Sequence, residues 1–158
     1  MKYRKAELFD VDVLSQTRVD MLCEETAYSE QFQTLLFNNT KQYIADGIKS
    51  NSVVLWVAEQ DEKTIAMGCV NFFTIPPNDW CPNGKTAYIG NMFTIPTFRK
   101  QGIASHILSL LINEAKTRGC QRIVLNTTDM GRPLYEKYGF GVSPTAMAYF
   151  PFGIMPTL

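Results

Sequence analysis

The stretch from Thr86 to Thr127 limits the fold more than any other part of the chain. Thr86–Ile95 is a run of mostly apolar residues with the length of an inner strand. Residues 102–118 then place Ile103, Ile107, Leu108, Leu111, Ile112 and Ala115 at helical spacing. Lys116 and Arg118 complement the C-terminal end of that helix, and Gly119 stops it. Arg122–Thr127 is a second, shorter strand, expected to be buried. A strand, a helix and a strand in this order form a right-handed crossover, which joins parallel neighbours. Upstream, Ser52–Gln60 and Lys63–Ile75 are β-rich runs separated only by Asp61-Glu62. That spacing makes a hairpin, hence an antiparallel pair. The class that holds both is a mixed α+β sheet flanked by helices.

The remaining segments fill out the order β-α-α-β-β-β-α-β-α-β. Residues 2–6 read as a short strand. Asp10 is placed to cap a helix running to about Cys23, with Val13, Leu14, Thr17, Met21 and Leu22 facing inward. Residues 29–49 form a second helix, or two short ones divided at Asn38-Asn39-Thr40, with Phe32, Leu35, Leu36, Tyr43, Ile44 and Ile48 as the apolar set. Gly68 marks a candidate bulge. Pro76–Lys85 is a loop. A short helix runs from Pro133 to Tyr138 and ends at Gly139, and Ser143–Phe150 is a candidate last strand. A chain of 158 residues fits one domain over 1–158.

Composition narrows the function. Hydrophobic residues make up 46%, so the chain is globular. No apolar run has the length of a membrane span, and Met1-Lys2-Tyr3-Arg4-Lys5 lacks the apolar core of a signal peptide. A cytoplasmic, membrane-free protein is expected. Cys23, Cys69, Cys81 and Cys120 form no C-x-x-C pair and His106 is the sole histidine, so no metal site is expected and the thiols should be reduced. Cys81, in the loop, should be the most exposed. Zero net charge argues against nucleic-acid binding. Charge is nevertheless uneven. Residues 10–30 hold Asp10, Asp12, Asp20, Glu24, Glu25 and Glu30 against Arg18, a balance of −5. Residues 96–122 hold Arg99, Lys100, Lys116, Arg118 and Arg122 against Glu114, a balance of +4. Such a chain can hold an anion at one place and a cation at another, or simply present two solvated helix faces.

The turn between strand and helix reads Phe98-Arg99-Lys100-Gln101-Gly102-Ile103-Ala104. Backbone N–H groups at a helix N-terminus lack partners within the helix, and the helix dipole adds positive charge there. The expected ligand is a phosphate or pyrophosphate, and Gly102 allows close approach. No G-x-x-x-x-G-K-[ST] and no G-x-G-x-x-G is present, which argues against an ATP or dinucleotide site.

Arg99, Gly102 and Ala104 fill an R/Q-x-x-G-x-G/A pattern that resembles the acyl-CoA signature of the GNAT-type N-acetyltransferase superfamily. A second block, Asn126 to Phe140 with Leu134-Tyr135-Glu136-Lys137-Tyr138-Gly139-Phe140 at its end, resembles another segment of that family. The two blocks cover about 86–142, which the resemblance makes the acetyl-CoA-binding core; about 1–75 becomes the acceptor-side lobe. The implied fold is a central, mostly antiparallel sheet whose one parallel pair splays to admit the pantetheine arm.

The implied chemistry moves an acetyl group from acetyl-CoA to a primary amine by direct attack through a tetrahedral intermediate. Lys100, Gln101 and Ile103 join the phosphate turn, which binds mainly through its backbone. Met92, Phe93 and Thr94 match the strand beside the acyl group, with the Met92 amide polarising the thioester carbonyl. Tyr135 matches the general acid that protonates the leaving thiolate, and Asn126 is placed to bond the cofactor arm. Tyr138 is the expected core residue of that helix. Many members carry a Glu on the strand that is Thr86–Ile95 here. This chain has none, and Tyr88 and Asn91 are that strand's polar candidates. The Glu24/Glu25 pair is the expected base, with Asp79 as another carboxylate, while His106 sits too far along its helix for acyl chemistry. The acidic segment suggests a small cationic amine; a peptide N-terminus or a protein lysine is the other acceptor class. Phe72, Phe73, Trp80, Tyr149, Phe150 and Phe152 line either that acceptor site or a homodimer contact. A module that senses acyl-CoA without turnover is the non-enzymatic alternative.

Overall fold

Five strands pair side by side in the order in which the chain makes them: β1 (Lys2–Lys5), β2 (Val53–Gln60), β3 (Lys63–Thr74), β4 (Lys85–Thr94) and β5 (Arg122–Leu125). The computed structural model describes residues 1–151. The first four strands are mutually antiparallel, and β4 and β5 are parallel. Asp61 and Glu62, both at positive φ, close the β2–β3 hairpin. The mixed sheet expected from the crossover and the hairpin is therefore the sheet observed.

Alternation along the strands separates two cores. On one face Val53, Leu55, Val57, Met67 and Cys69 meet α1 (Val11–Cys23) and α2 (Glu30–Ser50) through Val11, Leu14 and Ile44. On the other, Val54, Ala58, Ala66, Val70, Ala87 and Ile89 meet α3 (Ile103–Thr117) through Ile103, Ile107, Leu108 and Leu111. The short α4 (Arg132–Lys137) adds Tyr135 to this second core.

Several local expectations are corrected. The Asp10 side chain does not cap α1. It accepts hydrogen bonds from Arg4 Nη1 at 2.7 Å, Arg4 Nη2 at 2.8 Å and the Glu7 N–H at 2.8 Å. Burial alone would raise its carboxyl; the Arg4 and Glu7 hydrogen bonds outweigh that and hold it below the usual carboxylate range. Val13 is 56% exposed, because the inward stripe of α1 runs through Val11, Leu14, Ser15 and Val19. Helix α2 is unbroken at Asn38-Asn39-Thr40, where the two asparagines are exposed and need no backbone partner.

The loop places Cys81 inside, fully buried, with its Sγ 3.5 Å from the Lys85 carbonyl. Its backbone is pinned by the Asn78 side chain, which turns the loop inward. Strand β5 is half-buried rather than buried, since it has no partner on its far side among the described residues. Residues 143–150 form no strand. Every one of them is exposed, Met147, Tyr149 and Phe150 included, so no described element covers the segment's apolar side chains, and Pro144 removes a backbone donor.

Candidate active site: a splayed strand pair and an open turn

Strands β4 and β5 pair from Thr86↔Arg122 to Ile89↔Leu125 and no further. Strand β4 continues to Thr94 while its other edge stays bonded to β3. Gly90–Thr94 thus run past the end of β5, beside a gap in the sheet. The register against β3 jumps at the same place: Cys69 faces Gly90, and Met67 faces Phe93. One residue of β3, Gly68, is spanned by two of β4, Asn91 and Met92, and Asn91 has φ 52°. The bulge therefore belongs to β4, and Gly68 lies opposite it. Gly68 is required for a packing reason: a Cβ there would fall 2.5 Å from Met92 Sδ and 2.8 Å from Ile107 Cγ2.

After β4 the chain makes a 3-10 turn at Pro96–Phe98 and enters α3. Lys100 has φ 62° and Gly102 φ 80°. Among the described residues, the N–H groups of Lys100, Gln101, Gly102, Ile103 and Ala104 have no protein partner. A Cβ on Gly102 would meet nothing within 4 Å, so the turn opens outward. Lys100 and Gln101 are exposed, Ile103 is buried in the α3 core and Ala104 is half-buried. Gln101 makes one long contact, from Nε2 to the Thr97 carbonyl at 3.4 Å.

Arg99 turns away from that opening. Its Nε donates to the Thr94 carbonyl at 2.9 Å, and its Nη2 reaches both Glu24 carboxylate oxygens, at 3.0 and 2.7 Å. The guanidinium also stands 5.7 Å from the Phe93 ring centre. Arg99 is thus a brace between the turn and the C-terminal end of α1, and Glu24 is held by it. Thr94 is buried, with a hydroxyl that has no partner among the described residues. Glu25 and Asp79 are exposed. His106 lies against Tyr3, ring centres 4.2 Å apart and planes tilted by 44°, a packing contact.

Tyr138, the expected core residue at the end of α4, is not the buried tyrosine. Tyr135 is buried at 8% exposure against Phe140, whereas Tyr138 is exposed and ties α4 to the first turn of α3 through the Ser105 carbonyl at 2.8 Å. A short helix closed by Gly139 lets only one face reach the core, and Pro133 sets that face on Leu134 and Tyr135. The Tyr135 hydroxyl has no hydrogen-bond partner among the described residues. Burial, and then the nearby Tyr88, push its pKa up. Asn126, exposed just past β5, donates from Nδ2 to the Tyr88 hydroxyl at 3.5 Å. Tyr88, Asn126 and Tyr135 therefore gather where β4 and β5 part.

Of the six aromatics, Phe72 packs under the Arg118 guanidinium at 3.9 Å, and Phe73, Trp80, Tyr149 and Phe150 are exposed. Phe152 lies outside the described residues.

A cluster not anticipated from the sequence lies on the α1/α2 face. Arg18 of α1 is partly buried and faces Cys69, Tyr88, Tyr28 and Tyr43. Tyr43 lies near Cys69 and Asn71, and Asn71 is the register partner of Tyr88. The one available hint was that Arg18 is the sole basic residue among residues 10–30.

This cluster sets an alkaline limit on stability. Burial pushes the Cys69 thiol up to about 11 from 9.0. A folded pKa raised above the unfolded one means that stability is intact below pH 9 and is lost as pH climbs toward 11. The loss amounts to about 3 kcal/mol at most, from roughly 1.4 kcal/mol per pKa unit. Tyr43 is also pushed up to about 12, mainly by burial, but the residue is 42% exposed and its contribution is screened by water. Melting temperature measured across pH 8 to 12 should fall from about pH 9, and Cys69→Ala should delay that fall.

Comparisons with known proteins match this geometry. The Acetyltransferase (GNAT) family profile matches residues 18–140. The human protein N-acetyltransferase 8 is 25% identical over 114 residues, 70% of this chain and 46% of that protein. The chain thus spans about half the length of this curated relative. A crystal structure of a predicted acetyltransferase with acetyl-CoA from Clostridium acetobutylicum has a TM-score of 0.86 at 32% identity, covering 94% of this chain and 95% of that one. A GCN5-related N-acetyltransferase from Ralstonia eutropha JMP134 shares the fold with a TM-score of 0.85 at 24% identity, covering 96% and 99%. With the profile spanning both the turn and the splayed strands, the chain belongs to the GNAT acetyltransferase family.

Proposed function

We propose that the protein transfers the acetyl group of acetyl-CoA to a primary amine on a small molecule. The observation that carries this reading is the open turn at Lys100–Ala104, with its unpartnered N–H groups, set beside the gap between β4 and β5. The donor set suits a pyrophosphate, and the gap suits a narrow polar arm that pairs with a strand edge. In the similar structure from Clostridium acetobutylicum the protein is described with acetyl-CoA.

The residues take the following roles. Lys100–Ala104 bind phosphate through the backbone, and Arg99 keeps the turn in shape. Met92, Phe93 and Thr94 line the arm, and the Met92 amide meets the thioester carbonyl. The neutral amine nitrogen bonds to the acetyl carbon to give a tetrahedral intermediate, which loses the extra proton on nitrogen to water and collapses as the carbon–sulfur bond breaks. Tyr135 gives its proton to the departing sulfur and recovers one from solvent. An alkylammonium, with a pKa of about 10.4, must first lose a proton. Glu24 is occupied by Arg99, which makes the exposed Glu25, working through water, the freer base of that pair.

The direct test is thiol release from acetyl-CoA with a panel of primary amines, tertiary amines and lysine-containing peptides. Release with small primary amines, and none with tertiary amines, is expected. Binding of acetyl-CoA without release on any amine would point to a sensing module.

A further inference from the structure

The charge pattern of residues 10–30 looked like a seat for a cation, but the folded chain uses much of it internally. Asp10 pairs with Arg4, Asp12 with Lys41 and Glu24 with Arg99. Asp20, Glu25 and Glu30 make no ion pair among the described residues, and neither does the one cation of the segment. Arg18 makes no hydrogen bond to a carboxylate or carbonyl among the described residues; its one contact is Nη1 to Met21 Sδ at 3.8 Å. Arg4, Arg99 and Arg118 all bond oxygen acceptors. A guanidinium carries five donors and stays charged, and no Arg18 nitrogen is among the buried, unpartnered polar atoms of the described residues, so the donors it does not turn to Met21 stay open to water and to a ligand.

The surroundings of Arg18 are neutral and rich in hydrogen-bonding groups: Tyr28, Tyr43, Cys69, Asn71 and Tyr88, with no carboxylate among them. Burial lowers the Arg18 pKa, and an anion would reverse that. The cluster also leads to the acyl site. Asn71 and Tyr88 are cross-strand partners on the α1/α2 face, and the Tyr88 ring covers Gly90, to within 3.1 Å of where a Cβ would stand. Gly90 immediately precedes the bulge at Asn91–Met92.

We propose that the acceptor amine carries an anionic group, a carboxylate or a phosphate, bound by the Arg18 guanidinium between α1, α2 and the β3–β4 face, with the amine directed toward the bulge. A planar donor fork suits either oxyanion. The acceptor is then zwitterionic. The placement of its amine rests on the acetyl-transfer reading; the anion site does not.

The test measures binding and turnover separately on matched pairs: amino acids against their amides, and phosphoethanolamine against ethanolamine. Calorimetry in the presence of CoA should show the anionic member of at least one pair binding about 10- to 100-fold more tightly, the worth of a charged hydrogen-bonded contact. The pair that shows it tells carboxylate from phosphate. Arg18→Met should erase the difference and leave CoA affinity and melting temperature unchanged, and Arg18→Lys should restore part of it. Equal binding of neutral counterparts, no binding of any anionic amine, or a preference that survives Arg18→Met overturns the proposal. An Arg18-dependent preference without thiol release would keep the anion site and sink acetyl transfer. Thiol release with the same KM for both members of each pair would do the reverse.

Discussion

Gly102→Glu is expected to abolish CoA binding while leaving the protein folded. Two effects add. Gly102 sits at φ 80°, where any other residue costs about 1–2 kcal/mol. That strain falls on one exposed residue whose Cβ would touch nothing, so the α3 core built on Ile103 and Ile107 should survive. The larger effect is on the ligand. A carboxylate at Gly102 would fold onto the neighbouring free N–H groups and repel the phosphates they are proposed to hold. At separations near 4 Å such repulsion is worth about 1–4 kcal/mol. Together the two should weaken CoA by about 100-fold or more, since each 1.4 kcal/mol is tenfold. Gly102→Ala isolates the backbone component and should weaken CoA by only about 10-fold. Titration calorimetry with CoA, paired with thermal melting, separates the two. Unchanged affinity in Gly102→Glu would remove the turn from the binding site.

The parts of the site that could be read from the sequence are those whose chemistry is local. The turn at Arg99–Ala104 and the block ending at Phe140 are each carried by a few contiguous residues. The crossover from β4 through α3 to β5 is a matter of length and periodicity. What could not be read depends on which groups end up opposite one another. Gly68 marked the right place in the sheet for a bulge but the wrong strand, because an inserted residue is defined only by pairing. Asp10 has a capping residue's chemistry, yet Arg4, six residues earlier on β1, claims its carboxylate. Tyr135 and Tyr138 are three residues apart on one short helix, and only the packed structure decides which is buried. Arg18 is the extreme case: its significance lies in having no oxygen acceptor among the described residues, which only the folded neighbourhood reveals.

Tyr135→Phe should lower turnover by roughly 100-fold, with acetyl-CoA affinity nearly intact. The structure makes this a clean substitution. The ring packs against Phe140 and the α3 core, and phenylalanine keeps those contacts. The hydroxyl has no protein partner among the described residues, so its removal orphans nothing and should change folding stability by less than about 1 kcal/mol. A loss of turnover therefore reports chemistry rather than packing. Burial, and then Tyr88, push the Tyr135 pKa up, so the phenol holds its proton at neutral pH but is a weaker acid than an exposed tyrosine, which also keeps the expected effect small. A thiol ordinarily ionises at a pKa of about 8.5, so the thiolate is a fair leaving group without help, which sets the effect at the low end for a positioned acid. The defect should deepen as the leaving group becomes more basic, because a poorer leaving group needs the proton more. Equal turnover in Tyr135→Phe, at any leaving-group basicity, would reduce Tyr135 to a core residue and pass the acid role to solvent or to Tyr88, the phenol that meets Asn126 where β4 and β5 part.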